Sequence, residues 1–223
     1  MEKKSTTKIR EIFTSIQGEG PYIGQKHIFV RFCRCNLKCS YCDTDFDIKN
    51  AKEYTQEELY NALKQNDCDT ISFTGGEPLL ELDFLKTFLE KYKKNLNKKI
   101  YLETNGTLSG NLAEIIDYID VVSADIKINS ATKQQNCFEE NDKFFQIAIK
   151  KDTFIKIVFD KNITQDEIDF CVKLAQKYNI LIVLQPKMPM DSEIDLIKIY
   201  DMFYEKYKNI QLIPQVHKYL NLA

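Results

Sequence analysis

Four cysteines fall within ten residues: Cys33, Cys35, Cys39 and Cys42. The last three have the spacing C-x3-C-x2-C. Thiolates so spaced can wrap one face of a cubane iron–sulfur cluster. Structural zinc prefers a closed set of four ligands, usually two separated pairs. No second pair exists here, and His27 and His217 are not spaced to make one. Cys33, two residues before Cys35, could add a fourth thiolate. Three ligands leave one iron open, which suits a cluster that does chemistry rather than storage. Iron–sulfur therefore ranks ahead of zinc and of free thiols. The scattered Cys68, Cys137 and Cys171 are expected to be small core residues.

A second chemical signal is Thr74-Gly75-Gly76-Glu77-Pro78, directly after the apolar run Thr70–Phe73. Two glycines let the backbone approach a ligand closely, and exposed peptide carbonyls accept from an ammonium. Gly-Gly and Glu-Pro also mark ordinary turns, so the motif gains its weight from the cysteine triplet. A third is Gln17-Gly18-Glu19. Gln pairs a donor with an acceptor, and Glu accepts from ring N–H and amino groups. Arg31 stands inside an apolar run beside the cysteine loop, where a guanidinium fork fits a carboxylate. That setting predicts a buried Arg31.

The elements that must hold these residues alternate along the chain. Strand-like runs rich in Ile, Val and Phe cover His27–Phe32, Thr70–Phe73, Ile100–Glu103, Val121–Asp125, Phe154–Phe159, Ile180–Leu184 and Ile210–Ile213, with an extended segment over Ile9–Ile16. Helical patterns lie between them. Capping boxes Thr55–Glu58 and Thr164–Glu167 open helices running to about Gln65 and Tyr178. Others cover Leu82–Lys93, Asn111–Tyr118, Asp142–Lys150 and Ser192–Tyr207. Such repetition means parallel strands joined by right-handed crossovers, in an open sheet or a partial (β/α) barrel. Functional residues should then gather at the C-terminal ends of the strands.

The 223 residues carry 31 Lys plus Arg against 33 Asp plus Glu, a net charge of −2. That balance gives no support to a nucleic-acid binder. No run of apolar residues is long enough to span a membrane, and the polar N-terminus does not read as a secretory signal. No Gly/Ser/Pro-rich linker divides the chain. The expectation is one domain over residues 1–223, located in the cytoplasm.

With the C-x3-C-x2-C and GGEP motifs in place, the sequence resembles the radical S-adenosylmethionine (SAM) enzymes. Three further segments resemble one branch of them, the 7-carboxy-7-deazaguanine synthase family of queuosine and deazapurine biosynthesis. They are Ile12–Gly20, Cys39–Thr44 and the ending Pro214–Leu220; with the Thr104–Thr107 turn, the likeness spans residues 12 to 223. It implies a truncated partial (β/α) barrel of the radical SAM type, mostly parallel. It implies a carbon–nitrogen lyase that contracts the ring of 6-carboxy-5,6,7,8-tetrahydropterin and releases ammonia. The implied cofactors are a [4Fe–4S] cluster, SAM and Mg²⁺. The implied partners are a one-electron donor such as flavodoxin or ferredoxin, and a second copy in a homodimer.

The same likeness assigns residues. Cys35, Cys39 and Cys42 match the cluster ligands, and Thr44 matches the Mg²⁺ ligand. Tyr41, Cys42, Asp43, Gly75, Gly76, Glu77, Ser123, Ala124, Asp125 and Gln185 match SAM contacts. Ile16, Gln17, Gly18, Glu19, Arg31, Thr74 and the terminal Ala223 match substrate contacts. Arg34 stands where relatives usually carry Gly, and the chain ends in Ala where many end in Pro. Two other readings compete: a small radical SAM activase acting on a partner protein, and a non-enzymatic iron–sulfur or zinc protein. The Gln17–Glu19 segment favours the synthase.

Overall fold

The computed structural model describes residues 6–42 and 51–222. Two strands open the chain, β1 (Thr6–Ile16) and β2 (Lys26–Phe32), followed by β3 (Lys52–Thr55) and α1 (Gln56–Lys64). The alternation then continues through β4 (Thr70–Gly75), α2 (Leu82–Leu96), β5 (Lys99–Thr104), α3 (Ser109–Ile115) and β6 (Val121–Asp125). Next come α4 (Asn129–Thr132), α5 (Phe138–Ala148), β7 (Asp152–Phe159), α6 (Gln165–Tyr178) and β8 (Leu181–Pro186). The chain closes with α7 (Leu196–Tyr204), β9 (Ile210–Leu212) and α8 (Val216–Leu220).

The nine strands among the described residues share one sheet in the order β3-β1-β2-β4-β5-β6-β7-β8-β9. From β2 to β9 every pairing is parallel. β1 runs antiparallel to both β2 and β3. β3 and β9 are not bonded to each other, so the sheet stays unclosed: the expected partial barrel. β1 is the extended segment predicted over Ile9–Ile16. β3 is not predicted, because Lys-Glu-Tyr-Thr is short, charged and at an edge, with no apolar run to announce it.

Both capping boxes form. Thr55 and Glu58 exchange side-chain and backbone hydrogen bonds at the start of α1, and Thr164 and Glu167 do so at α6. The helix expected from Ser192 starts instead at Leu196, because the Asp195 side chain accepts from the Lys198 amide and caps it there. The helix expected from Asp142 starts earlier, at Phe138, placing Cys137 at its N-cap. Cys137 is therefore half-buried rather than a core residue, while Cys68 and Cys171 are buried as expected.

The main core lies between the outer face of the sheet and the helices. Phe32, Phe73, Phe84, Phe88 and Leu102 fill it, and each fully buried Phe contributes about 2 kcal/mol. The inner face is different. Tyr101, Val121, Phe154 and Val183 form a small separate cluster there, capped by Tyr22 from the β1–β2 loop. Gly20 makes this plug possible: it holds φ +67°, and a Cβ would meet the Phe154 ring at 2.8 Å. The loop closes one end of the inner face. The end at the C-terminal edges of the strands remains open.

Candidate active site

That open end is a cavity of about 460 Å³. β2 contributes Arg31 and the loop after it Cys35, Cys39, Tyr41 and Cys42. β4 contributes Thr74 and Gly75, then Gly76; β5 contributes Glu103 and Thr104, then Asn105. β6 adds Ser123 and Asp125, β7 adds Lys156 and Val158, and β8 adds Gln185. Ile16, Gln17, Gly18 and Glu19 enter from the β1–β2 loop, and Gln215, His217 and Leu222 from the C-terminal segment.

The cysteine loop is held from three sides. Gly76 N–H donates to the Phe32 carbonyl and Glu77 N–H to the Arg34 carbonyl, at 3.0 and 2.6 Å. Asn105 Nδ2 donates to Asn36 Oδ1 at 2.8 Å, and Asn36 Nδ2 to Thr107 Oγ1 at 2.9 Å. Ser40 N–H and Oγ–H reach the Thr132 and Ala131 carbonyls of α4, both at 3.0 Å. Arg34 fits without strain: it points outward, and its Nε and Nη2 donate to Glu81 Oε1. Cys33 is buried away from the cavity.

The thiols of Cys35, Cys39 and Cys42 are near enough to act on one another electrostatically. Burial, opposed by Lys127 and aided by Asp125, pushes the Cys39 thiol up to about 11. Among the described residues, no three His, Cys, Asp or Glu side chains close on one point as a single metal ion requires. A cubane does not require that, since each thiolate takes its own iron. The donor set, three thiols on one loop at an open cavity, fits such a cluster. The cavity wall also suits a polar ligand. Among the described residues, wholly buried Gln185 has no partner for either amide atom, and Asp125 Oδ1 has none either. Buried polar atoms left so cost free energy until something pairs with them.

The sequence matches the radical SAM superfamily over residues 29–203. A 7-carboxy-7-deazaguanine synthase from Thermoplasma acidophilum is 32% identical over 94% of this chain and 95% of its own. Another, from Archaeoglobus fulgidus, is 32% identical over 95% and 97%. The chain belongs to the 7-carboxy-7-deazaguanine synthase family of radical SAM enzymes. The crystal structure of QueE from Escherichia coli has the same fold, with TM-score 0.64 at 20% identity and 95% of both chains covered. The family implies an enzyme that uses a [4Fe–4S] cluster and SAM. Among the described residues, no helix is long and apolar enough to cross a membrane.

Within this synthase-family site, most of the residues expected from sequence come together. Glu77 and Ala124 do not line it. Ala124 alternates into the outer core between Ser123 and Asp125, which face inward. Glu77 is wholly buried and accepts from the Leu79 and Asn105 amides and Thr104 Oγ1. Burial pushes its carboxyl up to about 7, against those hydrogen bonds. Arg31 is half-buried rather than buried. It pairs with its cross-strand neighbour Glu11 through Nη1 and lies over the Phe13 ring. Asp43, Thr44 and Ala223 lie outside the described residues.

The structure adds residues that sequence reading missed. Glu103 accepts from Gln17 Nε2 at 3.0 Å and from Thr74 Oγ1 at 2.9 Å, joining two expected substrate contacts. Lys156 pairs with Glu19 and Asp125. Lys127 was not missed: from sequence it could neutralise a carboxylate or only cover the surface, and it pairs with Asp125 at 2.7 Å and lies beside Tyr41. A signal was present: Glu103 and Lys156 are charged residues inside otherwise apolar strands, where a charge needs a partner. The C-terminal segment is tied down as well. Val216 N–H donates to the Gly18 carbonyl at 3.0 Å, and Gln215 Nε2 to Glu19 Oε1 at 2.7 Å.

Proposed function

We propose that the chain converts 6-carboxy-5,6,7,8-tetrahydropterin to 7-carboxy-7-deazaguanine, with ring contraction, loss of ammonia and assistance from Mg²⁺. One observation carries this reading: the three-cysteine loop and the Gln17–Glu19 segment line the same cavity. When bound, the cluster and SAM supply a carbon-centred radical that takes a hydrogen atom from the substrate.

Cys35, Cys39 and Cys42 hold the cluster, and the Gly75–Gly76 backbone, Ser123, Asp125 and Gln185 hold SAM. Glu77 and Ala124 act through backbone or packing, since their side chains face away. Gln17 and Glu19 read the hydrogen-bonding edge of the pterin. Glu103 orients Gln17 and Thr74, whose donors both end on its carboxylate. Arg31 commits Nη1 to Glu11 and has further guanidinium N–H donors for the substrate carboxylate. Lys156 and Gln215 outweigh the burial of Glu19 and hold its carboxyl at about 2, so it stays an acceptor. Thr44, by the family resemblance, would offer its hydroxyl to Mg²⁺, a cation that takes oxygen ligands. The β1–β2 loop, with the C-terminal segment fastened to it, closes the end of the cavity opposite the cysteine loop and limits water. They occupy the inner face that an activase would keep open for a partner protein.

A one-electron donor such as flavodoxin or ferredoxin supplies the reducing electron. A cytoplasmic homodimer is the working form in this reading. The test is made without oxygen: reconstitute the cluster, add reductant, Mg²⁺, SAM and 6-carboxytetrahydropterin, and follow products by mass spectrometry. 7-Carboxy-7-deazaguanine over many turnovers, with SAM not consumed in step, is expected. Slow 5′-deoxyadenosine release without the deazaguanine would overturn the substrate assignment.

A further inference from the structure

The inner face carries a row of alternating charge. Glu19 Oε2 meets the Lys156 ammonium. Lys156 also reaches Asp125 Oδ2 at 3.3 Å, and the same oxygen accepts from Lys127 at 2.7 Å. Glu19 and Lys156 are 137 residues apart in sequence, so this contact ties the β1–β2 loop to β7.

Lys156 is placed as a functional lysine rather than a solvated one. Its side chain is 9% exposed, in a strand whose residues after Asp152 are all buried. Burial alone would strip its proton; Glu19, Asp125 and Glu103 together hold it on. A lysine costs this much to bury unless its charge is used. The Glu19 backbone has less to fix it. Its N–H donates to the Gln17 side chain, and the loop is closed by Gln17 N–H to the Gln25 carbonyl and Gly24 N–H to the Gln17 carbonyl. The orientation of the Glu19 carboxylate therefore depends on two side-chain donors, Lys156 and Gln215. Lys156 brings the charge and the rigid strand.

We propose that Lys156 is the positioning residue of the pterin subsite: its ammonium fixes the Glu19 carboxylate against β7 and so sets affinity for the pterin but not for SAM. This rests on the reading of Glu19 as a pterin contact. SAM binding is spared because Asp125 keeps Lys127, its closer partner.

The experiment uses the anaerobically reconstituted full chain without reductant. Dissociation constants for 6-carboxytetrahydropterin and for SAM are measured separately, and kcat and KM come from a parallel anaerobic assay with reductant added. Lys156→Gln keeps a donor and removes the charge. It should weaken the pterin by about tenfold or more, the range for losing a hydrogen bond to a charged group. SAM affinity and cluster content should be unchanged, and Lys156→Arg should restore part of the loss. In a Glu19→Gln background the Lys156→Gln change should add nothing. Full additivity, an unchanged pterin constant, or equal loss for pterin and SAM would overturn the proposal. If Lys156→Gln alone does not fold, the double variant removes both charges together. Pterin affinity equal to that of Glu19→Gln then supports the proposal, and a further loss overturns it. A wild-type chain that does not bind the pterin removes the proposed function and this inference together, whereas normal binding with an unaffected Lys156→Gln removes this inference alone.

Discussion

The carbonyl oxygen of Arg34 lies 1.9 Å from where a Cβ on Gly76 would stand. Two backbones meet there, so no side chain can swing aside to make room. Gly75 is similarly confined: φ is +101°, and a Cβ would meet the Phe32 backbone at 2.5 Å. The GGEP turn thus presses directly on the loop that carries the cysteines. Gly76→Ala should cost about 1–3 kcal/mol, as overpacking does, and it should lower iron incorporation because the loop must shift. Iron content per chain, read beside the denaturation midpoint, checks this. Wild-type iron content in a folded Gly76→Ala chain would contradict it.

Cys33 and Cys39 should behave oppositely. Cys39→Ala should abolish cluster assembly and leave the circular dichroism largely native, because the strands are held by their own core. Cys33 is buried and outside the cavity. Cys33→Ala should keep the cluster and lose about 1 kcal/mol of stability through a small void. Loss of iron in both variants would make Cys33 a ligand.

The parallel strands were legible because each is a short buried run of Ile, Val and Phe, and Val121–Asp125 is observed within its expected bounds. The capping boxes were legible because Thr55 and Thr164 stand three residues before a Glu. β3 was not, since Lys52–Thr55 draws its order from pairing with β1 rather than from its own pattern. At the site, the cysteine spacing and the glycines announce themselves locally. The Glu19–Lys156 and Gln17–Glu103 contacts do not, because they join segments 137 and 86 residues apart. Such pairs become visible only once the sheet order is known.

Arg31→Ala should weaken the pterin far more than SAM. The guanidinium faces the cavity while Phe13 and Glu11 hold it in place. Its pair with Glu11 is half-exposed, so its loss alone should cost at most about 1 kcal/mol of stability. Separate KM values for the two ligands decide the matter; parallel increases would indicate general disruption.

Glu19 gives the site a pH signature. Burial raises its carboxyl, but the Lys156 charge and the Gln215 hydrogen bond bring it down to about 2, below its ordinary 4.5. Between these values the folded chain holds fewer protons on Glu19 than the unfolded chain does. The resulting stabilisation is complete above 4.5 and is lost as pH falls through about 2. The gap in denaturant midpoint between wild type and Glu19→Gln should therefore narrow across that window. A constant gap would show that Glu19 does not titrate there.

Gly18 and His217 form the clasp between the β1–β2 loop and the C-terminal segment. A Cβ on Gly18 would stand 2.7 Å from the His217 backbone nitrogen and 2.6 Å from its Cβ. The hydrogen bond from Val216 N–H to the Gly18 carbonyl fixes the approach, so the two segments cannot part without breaking it. Gly18→Ala should therefore lift residues 215–222 while leaving the cysteine loop, on the far side of the cavity, undisturbed. Gln215 would move with them, and Glu19 would keep Lys156 as its remaining charged partner. Faster amide exchange confined to the C-terminal segment is expected. So is a raised KM for the pterin, because one of two donors to Glu19 is lost, with iron content and SAM affinity unchanged. Unaltered exchange in that segment would show that it closes on the cavity by some contact other than Gly18.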